Sequence, residues 1–398
     1  MNITDYVNKN GIFDLNIKPL NPVDTLVLAQ LSYLKFENMI PGPNDNRDGV
    51  TFAELYERAD IDNLFRDERY RAENSGLFEA VCKSRRFNQA KLNNFIDEID
   101  ETIDIQFSAM TVEFENGINF VIFRGTDDNM VGWKEDLNMT FMTQIPAQLE
   151  SVTYLETVAK KLKGDFYIAG HSKGGNLSAY AATKCSPETT KRIKHIYTLD
   201  GPGLSEEFVK LPEFEEVKDR ITKYMPKSSV VGMFFTTAVE CKYVDSTAIG
   251  GMSQHFPFSW IVEDFDFKYV ENLDKNTALR DKILKQTRNE ISDEQWRKIS
   301  DNIFAIFKEA GINNLNDFND HKLQTISAIL NASDSIENES LELIKSAFGI
   351  LRDNATSIAK ENAIDDINKA KEAALVEIEK AVEKNRKKNS GKKKKAHK

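Results

Sequence analysis

Hydrophobic and polar positions change their period along this chain, and the changes divide it. Between residues 21 and 37, apolar side chains fall at Val23, Leu26, Val27, Leu31 and Leu34, the spacing of a helix with one buried face. Residues 40–100 are polar and irregular, broken by Pro41 and Pro43, with short helical patterns at 52–58 and 91–99. The period then shortens. Residues 107–114 and 118–123 are β-rich runs, and Glu115-Asn116-Gly117 between them is a hairpin signal. A polar loop follows Thr126, then a helix over 147–162, a short buried strand at 166–169 and a small-residue helix over 174–185. Strand patterns recur at 193–199, 220–225, 230–235 and 241–244. A Gly201-Pro202-Gly203 turn and a helix near 205–210 follow the first of them. Strands alternating with helices predict βαβ units and a mostly parallel sheet, an α/β class.

From about residue 272 the pattern is helical throughout. Ser292-Asp293-Glu294-Gln295 reads as a capping box opening an amphipathic run to Phe307, and residues 361–384 carry a second such run. The chain therefore divides into 1–271, a region able to form one α/β domain; 272–383, a helical region; and 384–398, a basic tail expected to be disordered. The helical region offers apolar stripes for the α/β body or for a partner, and holds no cluster that looks catalytic.

Composition narrows the function classes. Hydrophobic residues make up 40% of the chain and 25 are Phe, enough to fill a sizeable core. The last fifteen residues hold nine Lys or Arg and no acid, leaving 44 basic against 63 acidic residues in the body. An acidic body argues against a surface that tracks phosphates, so no specific nucleic acid is expected. The tail is read first as a solvated end, with weak contact to an anionic membrane as the functional alternative. Cys82, Cys185 and Cys241 are odd in number and widely spaced, which fits neither a disulfide framework nor a zinc site. Residues 1–20 show no apolar core of a signal peptide, and no stretch reaches the ~20 apolar residues of a membrane span, so a cytoplasmic location is the expectation.

The chemistry sits in Gly170-His171-Ser172-Lys173-Gly174, a G-x-S-x-G pattern between a predicted strand and a predicted helix. A serine at such a turn stands clear of the sheet, its flanking glycines let backbone pass closely, and the helix N-terminus offers N–H groups to a developing oxyanion. Upstream, a strand ends in Arg124-Gly125-Thr126, where the second oxyanion donor of such a site belongs. Ser172 is thus the candidate nucleophile, with the backbone N–H groups of Thr126 and Lys173 as the candidate oxyanion hole and the Thr126 hydroxyl beside them. Trp133 and Asp136, at helical spacing beyond, read as packing and capping residues.

Only five histidines exist to serve as base. His171 lies inside the turn, His195 near the start of its strand, His321 in the helical region and His397 in the tail. His255 follows the last strand pattern in a loop, the place of the final member of a Ser…Asp…His order. For the acid, Asp200 ends the 193–199 strand at the edge where catalytic groups gather in open α/β sheets. Asp245, ten residues before His255, ranks second, and Asp219 precedes its strand.

With these residues in view, the chain resembles the class 3 lipases and, more closely, a bacterial lipase-like α/β-hydrolase family. The matching stretches are FRGTDD (123–128), IAGHSKGGNLSAYAA (168–182), YTLDGPG (197–203) and GGMSQHF (250–256), within roughly 20–270. The resemblance implies an α/β-hydrolase fold and ester hydrolysis, with Ser172 and His255 carried over by motif. Class 3 lipases place their acid after the next strand, where Met225-Pro226-Lys227-Ser228-Ser229 offers no carboxylate; this departure is why Asp200 is favoured. The expected function is a serine hydrolase of carboxylic esters, acting on acyl-lipid or small acyl esters, with no metal or organic cofactor. The rival expectation is a catalytically weak hydrolase-fold scaffold that binds a partner or membrane.

Overall fold

The computed structural model of the chain describes residues 1–312, apart from 59, 67–69, 236–237, 250, 274 and 310, together with residue 350. The helical pattern at 361–384 and the basic tail lie outside the described residues. A nine-stranded sheet organises the rest, in the order β1-β2-β3-β4-β5-β6-β7-β8-β11. The strands are β1 (Val50–Thr51), β2 (Lys91–Asp100), β3 (Ile105–Glu113), β4 (Asn119–Phe123), β5 (Phe166–His171), β6 (Ile193–Leu199), β7 (Ile221–Pro226), β8 (Glu240–Val244) and β11 (Tyr269–Val270). A small hairpin, β9 (Val262–Glu263) with β10 (Asp266–Phe267), stands apart.

Strands β4 to β8 pair in parallel, while β1 to β4 and the β8–β11 pair are antiparallel. The sheet is therefore mixed, with a parallel centre of five strands. Both faces of that centre are covered, so β4 is buried at every position and reads as a continuous apolar run. Phe120 and Ile122 point into one core with Leu26, Val27 and Phe36; Val121 and Phe123 point into the other with Leu155, Val158 and Leu177. The helices of the parallel crossovers (Pro146–Ala159, Lys173–Lys184 and Pro212–Val217) share that second core, as connections of one hand require.

The first core explains one difference from the sequence pattern. The Pro22–Leu31 helix, expected to bury one face, is buried at every residue from Val23 to Leu31. Its few polar groups are paired internally. Asn21 and Asp24 form a capping box, and Asp24 also meets the fully buried Arg86 and the Tyr6 hydroxyl.

Residues 91–99, expected as a helix, form strand β2 instead. Leu92, Phe95, Ile96 and Ile99 have helical spacing, but a bulge between Asn93 and Ile96 inserts an extra residue into the pleat. The bulge keeps Phe95 in the same core as Leu92 and turns Ile96 to the other face. Asn94 takes the left-handed φ of 54° there, and its amide donates to Thr111 at 2.9 Å. The run 230–235, expected as a strand, is a 3-10 turn (Val231–Met233) closing over Asp200. A helix (Met130–Asn138) forms where a polar loop was expected after Thr126.

Two C-terminal helices, Lys275–Glu290 and Asp293–Glu309, follow the sheet. The capping box is present: Ser292 N–H donates to Gln295 Oε1 at 3.0 Å, and Gln295 N–H to Ser292 Oγ at 3.3 Å. The second of these helices lies on the Met130–Asn138 helix. Ser300 Oγ meets Asn138 Oδ1 at 2.8 Å, and Lys134 bridges Asp104 and Asp301 at 2.8 and 3.0 Å.

Candidate active site

The parallel strands deliver their carboxyl ends to one edge of the sheet, and the candidate residues assemble there. Strand β5 ends at His171, and the Lys173–Lys184 helix begins one residue past Ser172. Ser172 holds φ 58° and ψ −133°, backbone that L-residues adopt only when their surroundings impose it. The imposition is steric. A Cβ on Gly170 would lie 2.2 Å from the Gly174 carbonyl, and one on Gly174 would lie 2.1 Å from the Phe123 carbonyl. Only a glycine at each position lets strand, turn and helix pack so closely. Ser172 N–H donates to Leu199 O at 3.0 Å, locking the turn to β6.

Asp200 directly follows β6, is fully buried and takes φ 50°. Its Oδ2 lies 2.6 Å from His255 Nδ1, joining residues 55 positions apart. Its Oδ1 has no hydrogen-bond partner and faces the Gly232 Cα, where a Cβ would lie 2.3 Å away. Asp245 is spoken for elsewhere, paired with Lys227 at 2.7 Å and Lys268 at 3.3 Å. His195 bonds the Thr222 hydroxyl at 3.0 Å, on β6. Ser172 Oγ and His255 Nε2 are not hydrogen-bonded to one another, so the structure joins the candidate base to the candidate acid but not to the candidate nucleophile.

The His255 loop is held by a neighbour inside the elbow. His171 Nε2–H donates to the His255 carbonyl at 2.9 Å, and the Tyr33 hydroxyl meets His171 Nδ1 at 3.1 Å. Because a carbonyl can only accept, Nε2 carries the proton and Nδ1 accepts from Tyr33. Burial, reinforced by the His255 charge, holds the His171 pKa well below the ordinary histidine range, so its ring stays neutral. The rings of His171 and His255 lie 4.5 Å apart.

The segment Arg124-Gly125-Thr126 is fixed by charge. Arg124, fully buried, makes a bidentate pair with Asp97 at 2.7 and 2.6 Å and reaches Asp127 at 3.3 Å. Lys35 joins both carboxylates at 3.4 and 3.1 Å. Burial pushes the Asp127 carboxyl up, but Arg124 and Lys35 outweigh it and hold the pKa below its usual value.

Lys173, the first residue of the elbow helix, leaves its backbone N–H among the unsatisfied donors of that helix start. Its side chain is buried. Nζ donates to Gln106 O at 2.7 Å, Gln106 Oε1 at 3.0 Å and Glu135 Oε2 at 2.6 Å. Asp136, expected to pack or cap, holds one carboxylate oxygen buried without a hydrogen-bond partner. Its carboxyl lies near the Thr126 hydroxyl, which is itself buried without a hydrogen-bond partner. Burial pushes its pKa up to about 6, against the lowering effects of Lys173, Thr126 and His255. The sequence pattern singles out Asp136 but not Glu135, whose buried partner Lys173 lies 38 positions away. FRGTDD did carry a signal for the Arg124–Asp127 pair in its adjacent opposite charges.

Comparison with known proteins follows this geometry. A family model described as Mbeg1-like matches residues 81–305, more than half of the chain. No curated protein matches the sequence. Among solved structures, the native Rhizomucor miehei lipase propeptide complex is similar at 17% identity and a TM-score of 0.33, over 50% of this chain and 70% of that one. The M37 lipase is similar at 14% and 0.34, over 54% and 70%. A triacylglycerol lipase from Penicillium expansum is similar at 14% and 0.29, over 43% and 73%.

Proposed function

The chain belongs to the Mbeg1-like family, and from the geometry of its site we propose that it is a serine hydrolase of carboxylic esters, of the α/β-hydrolase type. The observation that carries this reading is the 2.6 Å contact between His255 Nδ1 and the buried Asp200, set beside a serine in strained elbow backbone. In this reading Asp200 holds the Nδ1–H tautomer of His255 and leaves Nε2 free to accept the Ser172 proton. A small movement of the His255 loop closes that contact when substrate binds, as catalytic hydrogen bonds often tighten only in the complex.

Ser172 Oγ attacks the ester carbonyl carbon as its proton passes to His255 Nε2. The resulting oxyanion sits against the backbone N–H groups of Thr126 and Lys173, each such donor being worth about 3 kcal/mol in the transition state. His255 then returns the proton to the departing alcohol, and water, activated by the same imidazole, hydrolyses the acyl-enzyme. Substrate is an acyl-lipid or small acyl ester. The basic tail adds weak attraction to anionic membrane, and a cytoplasmic setting suits such a protein. Among the described residues no helix is long and apolar enough to cross a membrane.

The open Ser172–His255 contact favours a second reading, a catalytically weak scaffold of the same fold that binds a partner or membrane. A fluorophosphonate probe separates the two. A hydrolase labels at Ser172, loses labelling in Ser172→Ala and in His255→Ala, and turns over p-nitrophenyl esters. An intact protein that does neither is a scaffold.

A further inference from the structure

The two donors proposed for the oxyanion hole come from different elements, and something must register one against the other. Thr126 lies beyond β4, just before the Met130–Asn138 helix; Lys173 opens the elbow helix. One buried ion pair spans the gap. Lys173 Nζ lies 2.6 Å from Glu135 Oε2, with the two side chains 1% and 0% exposed. Glu135 is a junction of four elements: it accepts from Gln106 N–H on β3 at 3.3 Å and, through Oε1, from Ala147 N–H on the Pro146–Ala159 helix at 2.8 Å. Earlier on the helix that carries Glu135, Gly132 packs directly against Thr126: a Cβ there would lie 2.8 Å from Thr126 Cγ2 and 2.8 Å from Gln106 Oε1.

We propose that the Lys173–Glu135 ion pair positions the oxyanion hole, its two side chains fixing the Lys173 N–H relative to Thr126. The inference rests on the serine-hydrolase reading above and assigns these side chains a role in it. Lys173 and Glu135 are positioning residues, since neither side chain reaches the reacting atoms. Stability alone is a poor account of the pair. Removing two charges from water costs about as much as their attraction returns, and apolar side chains of the same size commonly serve a core as well or better. What an ion pair with four further hydrogen bonds supplies is a single geometry. Oxyanion stabilisation depends on that geometry, because a donor must stand about 3 Å from the developing charge.

The test uses the full chain carrying Lys173→Met with Glu135→Gln. The double change leaves no unpaired buried charge, and the Gln oxygen still accepts from Ala147, so folding survives where either single change could fail. Fluorophosphonate labelling and p-nitrophenyl butyrate turnover are measured beside thermal melting. The expected result is a kcat and a labelling rate both about 10- to 100-fold lower, part of the loss that follows deletion of a whole donor. KM and melting temperature stay close to those of the unaltered protein. A kcat within about twofold of the unaltered enzyme overturns the proposal and leaves the hydrolase reading standing. So does a loss that merely tracks a lower melting temperature. If the unaltered protein neither labels nor turns over ester, the hydrolase reading falls, and the role given to the pair falls with it.

Discussion

Asp136 offers the sharpest quantitative test of the site's electrostatics. Its carboxyl is pushed up to about 6 in the folded chain, chiefly by burial, from its ordinary value of 3.8. Below pH 4 both folded and unfolded chains hold the proton, and the group contributes nothing against folding. Between pH 4 and 6 the unfolded chain loses the proton while the folded chain keeps it, so stability falls as pH rises. Above about pH 6 both are ionised, and the full cost of a buried charge is present. A carboxyl moved from 3.8 to about 6 corresponds to about 3 kcal/mol, and the residual exposure of this half-buried residue brings the expectation to about 2 kcal/mol. Asp136→Asn cannot titrate. Urea unfolding of the two proteins at pH 4, 5, 6, 7 and 8 isolates the contribution of this carboxyl, because other groups cancel in the difference. The unaltered protein should lose about 2 kcal/mol relative to Asp136→Asn across pH 4–7, most of it between 4 and 6. A difference that stays flat, or that moves the other way, refutes the buried placement of this carboxyl beside Thr126.

Three further outcomes follow from named contacts. Ser172→Gly should abolish ester turnover yet raise stability by about 1 kcal/mol in denaturant unfolding, because glycine carries the φ of 58° without strain; a destabilised variant would deny that the elbow is strained. Gly232→Ala should cut kcat by at least tenfold, since its Cβ would stand 2.3 Å from Asp200 Oδ1 and displace the acid from His255; steady-state kinetics at unchanged kcat would detach Gly232 from the dyad. Deleting residues 384–398 should leave p-nitrophenyl ester turnover unchanged and weaken sedimentation with anionic vesicles, an effect fading with salt at about 1 kcal/mol per basic residue engaged; vesicle binding absent from the full chain would leave the tail a solvated end.

Sequence pattern located the parallel centre well and its margins poorly. Strand β5 and the helix after it are legible because they are bounded by Gly, Ser or Pro and almost wholly buried, and β6 because its apolar residues end at Asp200-Gly201. Strand β2 was not, because its bulge turns a period of two into gaps of three and four, the signature of a helix. The Met130–Asn138 helix escaped for the opposite reason. Its charged Glu135 is buried against Lys173, a residue 38 positions away, and no local pattern announces a partner at that distance.

The same limit separates what could and could not be read of the site. Ser172, His255 and Asp200 declare themselves by position, each just beyond the carboxyl end of a strand or in the last loop, where topology alone brings them to one edge. His171, Tyr33, Arg124, Asp97 and Glu135 meet at that edge through pairings that span elements, and their chemistry is ordinary until the fold sets them side by side. Arg124 is the clearest case. In sequence it is one basic residue before a glycine; in the fold it is buried, with bidentate contact to Asp97 and a second carboxylate at 3.3 Å. An uncompensated guanidinium in that place would cost several kcal/mol, so the carboxylates must be present whenever the loop holds this shape. The backbone of Thr126 is therefore fixed before any substrate arrives, and a donor already in place at the moment of reaction spends no energy on reorganisation. In the proposed mechanism, that pre-set loop leaves the contact from Ser172 to His255 as the step on which turnover would depend.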